Sequence, residues 1–299
     1  MLSVRGIRES AGDRLFLLGV YTFLVFVLLA VLLPLLHIVS SSFSSPQAVV
    51  SGKVWILPVE FSLEGYKAVF DSKSIWSGFA NSVYYTVVGT FVNVLLTVLI
   101  AYPLSRRTFY GRNLIMMLLV FTMLFDGGII PFYLLVKDLG MIDSRWALIV
   151  PGALAVFQVI IAKTFFQSSL PEEIWEAASL DGCSDIRFMT SVVLPLSKPI
   201  LAVMTLMYAV GHWNAYFDAL IFLKSQELFP LQIVLRNILI LNTVDPTMLS
   251  NADQMLAQTG LKDLLKYSLI VVASLPILMI YPFVQKHFVK GVMIGSLKG

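Results

Sequence analysis

The chain has 299 residues, of which 58% are apolar and 13% charged, and its mean hydropathy is +0.85. A soluble domain carries about 25% charged residues, so this composition excludes a soluble globular core and predicts one integral membrane domain over residues 1–299. A formal charge of +3 with scattered basic residues leaves no nucleic-acid footprint, and a single cysteine, Cys183, excludes an intrachain disulfide framework and a multi-cysteine metal site.

A helix that crosses a bilayer needs about 20 mainly apolar residues. Six segments meet that requirement: 15–39, 79–102, 113–136, 146–166, 199–222 and 267–285. The first follows Arg5, Arg8 and Arg14 as the apolar region of a signal peptide would. It is too long for one, and no small-residue cleavage site precedes the polar turn Ser40 to Ser45, so it reads as a retained helix.

The short flanks set orientation through their Lys and Arg content. If six helices alternate, Arg5, Arg8 and Arg14, the link residues Arg106, Arg107 and Arg112, and the trailing Lys286, Lys290 and Lys298 all fall on one face. That face is predicted to be cytoplasmic, together with both termini and the segment 167–198. Residues 40–78, 137–145 and 223–266 then lie outside. These outer segments also hold nine basic residues, so the sidedness rests on the short loops. Within the last of them, Leu228 to Leu241 is apolar but too short to span. It predicts an interfacial or re-entrant helix, or alternatively a surface for an external partner.

The polar interval 167–198 is the most informative. Pro171 suits the first turn of a helix, where its missing N–H costs nothing, and Glu172 and Glu173 sit where the helix dipole favours negative charge. Ile174, Ala177 and Ala178 share a face, with Leu170 and Leu180 completing an apolar stripe. Gly182 is predicted to end this helix in the left-handed conformation. A second short helix is predicted from Ser184 through Val193, and Pro195 and Pro199 lead into the next span. For any one such helix, a hairpin packed on its own bundle is the plain alternative.

The full string reads Glu176-Ala177-Ala178, three residues, Gly182, nine residues, Val192, one residue, Leu194-Pro195. It resembles the coupling motif of ABC-importer permeases, with Val192 where that family usually has isoleucine. Phe79 to Ser82, Thr86 to Thr90, Ala101 to Ser105, Gly127-Gly128 with Ile130-Pro131, Gly211 to Asn214, and the closing Lys290-Gly291 to Lys298-Gly299 extend the likeness. They are similar to the carbohydrate-uptake permeases related to the maltose permease. Phe125 to Leu135 and Val210 to Leu223 are most similar to the branch that handles complex oligosaccharides or polysaccharide fragments.

The resemblance implies an all-α integral membrane protein with six transmembrane helices, the ABC importer type I permease fold (MetI-like), and both termini in the cytoplasm. It implies a multi-pass chain in the bacterial cytoplasmic (inner) membrane that imports oligosaccharides or polysaccharide fragments by alternating access. The implied partners are a homologous second permease, a dimer of ATP-binding subunits, an extracytoplasmic solute-binding protein and membrane lipid, with no nucleic acid. Glu176, Ala177, Ala178, Asp181 and Gly182 are the implied face docked on the ATPase, with Glu172 and Glu173 on its rim. The basic tail Val289 to Gly299 is a second candidate for that contact. The chain itself has no Gly-x4-Gly-Lys-Ser/Thr phosphate loop, since Gly52-Lys53 is followed by Val54. ATP and Mg are therefore expected on the partner, with no cofactor, metal site or enzymatic activity in this chain.

A sugar path needs hydrogen-bonding groups beside flat apolar faces. His212, Trp213, Asn214, Tyr216 and Asp218 form the densest polar-aromatic cluster in any predicted span, and polar groups at membrane depth usually face a cavity or a neighbouring helix. Asp126 precedes Gly127-Gly128, where the third helix is predicted to break as the helices of transporters do. Hydrogen bonding between helices is the competing role for the first five, and helix capping for Asp126. Tyr84, Tyr85, Asn93 and Gln158 are weaker candidates. Lys163 and His212 are the cations that lie well within predicted spans, which argues against a deep anion site in this chain. An ion-gradient-driven secondary sugar transporter is the alternative; it predicts carboxylate or His relays and internal symmetry, which Asp126, His212 and Asp218 are too few to supply. An intramembrane hydrolase with His212 as base lacks a nucleophile elbow.

Overall fold

The computed structural model describes residues 10–240 and 254–296, with side chains at 10–240 and 260–282; Arg5, Arg8, Lys298 and the end of the basic tail lie outside the described residues. Every regular element described is helical. In chain order these are α1 (Ala11–Ser42), α2 (Pro46–Val50), α3 (Glu64–Asp71), α4 (Lys73–Ser105), α5 (Arg112–Leu124), α6 (Ile129–Asp138) and α7 (Val156–Ser169). There follow α8 (Glu172–Leu180), α9 (Asp185–Phe188), α10 (Leu194–Leu196), α11 (Lys198–Asn214), α12 (Phe217–Phe222), α13 (Leu231–Ile240) and α14 (Gln254–Ser296).

Packing divides the chain into two compact units, one of residues 1–71 with 242–272 and one of 72–241 with 273–299. In the first, α1 starts with a capping box: Ser10 Oγ accepts from the Asp13 N–H at 3.1 Å and Asp13 Oδ2 accepts from the Ser10 N–H at 3.0 Å. Its apolar side chains stay exposed until the last turns, where Ser40, Ser41 and Ser42 are buried. Ser40, Ser42 and Ser44 fasten the segment that follows. Ser42 Oγ meets Tyr66 OH at 2.8 Å, Ser40 Oγ donates to the Ile56 carbonyl, and Ser44 Oγ accepts from the Val59 N–H at 3.0 Å. Gly65 lets α3 approach α14 closely, because a Cβ there would run into Ser268 Oγ and Leu264.

The second unit is organised by α4. Asn81, Tyr85, Gly89, Asn93, Thr97 and Ala101 are all buried and recur every four residues. With 3.6 residues per turn, such a ridge winds slowly around the helix, so its ends and its middle meet different neighbours. Toward the N-terminal end of α4 Asn81 Nδ2 donates to the carbonyls of Glu227 and Phe229 at 2.6 and 3.1 Å, and Tyr85 OH to that of Leu228 at 2.8 Å. Ser82 Oγ accepts from the Leu231 N–H at 2.8 Å, which seats the start of α13 on α4. The apolar segment too short to span is thus a helix packed on the bundle, with Leu231, Ile233 and Ile238 buried. Farther along, Thr97 Oγ1 meets Tyr208 OH of α11 at 2.7 Å. Around Ala101 the core closes with Val98, Leu104, Val159, Ala162, Phe166, Phe188, Val193 and Met204.

Two of the predicted spans need correction. The segment 146–166 is not one helix. Residues 145–148 form a 3₁₀ turn, 149–155 are irregular, and the α-helix covers only Val156–Ser169. A residue before proline is disfavoured in the α region, and Pro151 is followed by Gly152, which accounts for the late start of the helix. The segment 199–222 is interrupted at Ala215-Tyr216, where the Asn214 amide turns back to donate to the Val210 carbonyl at 2.9 Å. The segment 113–136 breaks at the predicted place: α5 and α6 meet at 116°, Gly128 has φ +84°, and its N–H donates to Asp126 Oδ1 at 2.9 Å. Among the described residues, three helices are long and apolar enough to cross a bilayer, or five if each of two bent pairs counts as one span.

A tight tie closes one end of this unit. Asp143, at φ +58°, accepts from the N–H groups of Lys224 and Ser225 at 2.9 and 2.8 Å and from Ser225 Oγ at 2.6 Å. The Ser225 hydroxyl, then the two N–H groups, hold its carboxyl below the usual carboxylate value.

Candidate coupling site and transport path

Pro171 leads into α8 with extended ψ, and Glu172 and Glu173 occupy the first turn as the dipole argument expects. The helix ends in a Schellman motif. The Gly182 N–H reaches the Ser179 carbonyl at 3.0 Å, the Cys183 N–H reaches that of Ala178 at 2.9 Å, and Gly182 has φ +73°. A Cβ on Gly182 would meet nothing within 4 Å, so glycine is required here by backbone conformation and not by space.

The apolar stripe expected along α8 divides in two. Leu170, Trp175 and Ala178 pack inward on the core beneath α4, and the Trp175 ring stands edge-on to Phe188 at 5.0 Å. Ile174, Ala177 and Leu180 face outward, Leu180 being 90% exposed. Three-residue spacing from Trp175 to Ala178 is what turns the helix, because the large indole claims the buried side. Glu173, Glu176 and Asp181 are exposed with the outer apolar residues, while Glu172 lies 3.9 Å from Arg107. The second helix begins as expected at Ser184, whose Oγ accepts from the Arg187 N–H, but Met189–Val193 form a π-helical turn. After Ser197 the chain bends by 80° into α11.

The six path candidates do not gather at one place. His212 Nε2 meets Asn93 Oδ1 at 2.9 Å against Gly89, and Asn93 Nδ2 donates to the Gly152 carbonyl at 2.8 Å. Trp213 is 4% exposed and donates to the Ala273 carbonyl at 3.0 Å. Both side chains are committed to helix packing in this conformation. Asn214, Tyr216 and Asp218 are exposed at the α11–α12 break, and Asp126 is exposed in the turn ahead of α6, where its Oδ1 accepts from the Gly128 N–H. Among the weaker candidates, Tyr85, Asn93 and Gln158 bond between elements, and Tyr84 lies under the Arg145 guanidinium at 4.5 Å.

Trp175, Phe188 and Arg106 escaped the sequence reading. The signal for Trp175 was its i, i+3 relation to Ala178; Arg106 read only as one of three topogenic arginines. These residues line, or lie next to, an open apolar groove of about 1280 Å³ that follows α4 from Thr86 to Arg106.

No family model matches the chain. It is, however, 43% identical over 290 residues to the polygalacturonan/rhamnogalacturonan transport system permease protein YtcP of Bacillus subtilis, covering 96% of this chain and 99% of that one. This chain belongs to the carbohydrate-uptake family of ABC-transporter permeases. The permease is also 42% identical over 299 residues to protein LplC of the same organism, with full coverage of both. Among solved structures it matches a chain from a bacterial ABC transporter involved in the import of the acidic polysaccharide alginate. The TM-score is 0.88 and the identity 34%, covering 94% of the permease and 99% of that chain. The permease fold is thus that of an ABC importer, and its long apolar helices are those of a membrane protein.

Proposed function

We propose that this permease is one membrane subunit of a binding-protein-dependent importer that moves oligosaccharides or polysaccharide fragments into the bacterial cytoplasm, driven by ATP hydrolysed on partner subunits. The observation that carries the coupling role is the outward apolar ridge of Ile174, Ala177 and Leu180 on a polar hairpin, with Glu173, Glu176, Asp181 and Gly182 beside it and Ile186 exposed on the helix that follows. Leu180 and Ile186, 90% and 79% exposed, do nothing for this chain's own core and suit a protein cleft. The ATPase dimer occupies that face, with Glu172 on its rim, and a second permease and an extracytoplasmic binding protein complete the assembly. ATP and Mg reside on the partner.

The reading has residues 1–299 as one permease domain of six spans in the inner membrane, with α7 and its irregular lead-in serving as the fourth span and both termini cytoplasmic. Alternating access follows if ATP binding favours one state of the bundle, since a partner shifts an equilibrium only by its differential affinity. Asn214, Tyr216, Asp218 and Asp126, exposed at helix breaks, are the better path candidates; His212 and Trp213 reach sugar only in a state that frees them. Relatives named for polygalacturonan and alginate favour uronate-containing fragments.

The test is uptake by the full complex in proteoliposomes, with oligogalacturonides, alginate oligomers and neutral glucans compared. ATP-dependent uptake stimulated by the binding protein is expected. Uptake that persists without ATP and stops when the ion gradient collapses would instead mark a secondary transporter.

A further inference from the structure

The Arg106 side chain is in an unusual situation. It caps α4, and its guanidinium carbon lies 4.8 Å from the Tyr102 ring centroid and 5.4 Å from that of Phe188. Its Nε and Nη2 atoms are buried without a hydrogen-bond partner, and Asp185, which lines the same groove, forms no ion pair with it. Unmade hydrogen bonds at buried, charged donors cost more than a cation–π contact returns. The seat is therefore poor as a stabilising device.

Its position suggests another use. Phe188 is fully buried, braces the Trp175 ring that anchors α8, and is the last α-helical residue before the π turn Met189–Val193. Such turns concentrate at functional sites. On the other side, Ala101 and Leu104 fix the last turns of α4 in the core. The guanidinium thus joins the central helix of the unit to the hairpin at the residue where the hairpin changes helical type.

We infer that Arg106 is a positioning residue for coupled transport: its guanidinium clamps Phe188 to the end of α4, so that displacement of α8 is passed to α4 instead of being absorbed at the π turn. This rests on the importer reading. A cationic plane is suited to the task because it can lie against two rings at once.

The test uses the complete reconstituted transporter and measures sugar delivered per ATP hydrolysed. Arg106→Lys keeps the charge and loses the plane; Phe188→Leu keeps apolar bulk and loses the ring. Both are expected to give normal complex recovery and binding-protein-stimulated ATP hydrolysis, with sugar per ATP down about tenfold and the double variant no worse than either single one. A wild-type ratio in Arg106→Lys, or losses that multiply in the double variant, would overturn the clamp. So would loss of complex recovery in both single variants, which marks a purely structural role. A wild-type complex without ATP-dependent uptake would overturn the importer reading, and the clamp with it.

Discussion

Asn93 of α4 and His212 of α11 meet at 2.9 Å directly against Gly89, where a Cβ would sit 2.5 Å from the imidazole Nε2. The glycine makes the approach possible and the amide makes it specific. Because Asn93 also donates to the Gly152 carbonyl, one residue ties two helices to the irregular lead-in of α7.

Gly89→Val should therefore force His212 out of its seat. Overpacking of this kind costs about 1–3 kcal/mol. The expected result is a lower midpoint in thermal unfolding of the detergent-solubilised permease, with membrane insertion retained. An unchanged midpoint would show that the helices part freely here.

Gly182→Val addresses a different kind of constraint. Space is open around the position, so the cost comes from a left-handed backbone, about 1–2 kcal/mol and local to the hairpin. Unfolding of the permease should shift little, while ATPase association, measured by co-purification, should fall several-fold; Gly182→Asn should fall between the two because Asn tolerates this conformation. Normal sugar-stimulated ATP hydrolysis in the Val variant would sink the docking assignment.

Asn81→Leu removes the donor to two carbonyls, those of Glu227 and Phe229. Unmade bonds at buried carbonyls cost about 1–3 kcal/mol. Hydrogen exchange should rise in residues 226–240 and leave the C-terminal half of α4 protected. Faster exchange spread evenly over α4 would contradict the local tie.

The Asp143 tie predicts a pH dependence whose sign follows from its depressed pKa. A carboxyl that is more acidic when folded contributes stability in full above its unfolded value of 3.8, and the contribution is lost as pH falls through the lower folded value. Proteolytic nicking near residues 143–144 and 224–225 should be flat from neutral pH down to that range and increase below it. Asp143→Asn keeps a residue that accepts positive φ but removes the titration, so its nicking should be raised at neutral pH and lose the acid step.

How much of this was legible beforehand depends on what each residue's neighbours are. Pro171, Gly182 and Gly128 act within a few residues of themselves, so the start and stop of α8 and the break between α5 and α6 could be read from sequence. Which side of α8 turns inward could not. That depends on a pocket for Trp175 made by Phe188 and the end of α4, which no local spacing encodes. His212 and Trp213 were singled out for being polar in a span, yet long-range partners, Asn93 and the Ala273 carbonyl, use their polarity for packing. Composition also missed the irregular stretch 149–155, because hydropathy is blind to whether apolar residues form a helix.

The four-residue ridge of α4 makes that helix intolerant of changes in length. Inserting or deleting one residue between Asn81 and Ala101 would rotate everything beyond it by about 100° and swap the neighbours of every buried group at once. Substitutions on its exposed side, at Val83, Val87, Phe91, Leu95 and Leu99, leave the ridge untouched. The fold of this permease thus constrains the residue count of α4 more tightly than the identity of its exposed side chains, as a gauge depends on the spacing of its marks.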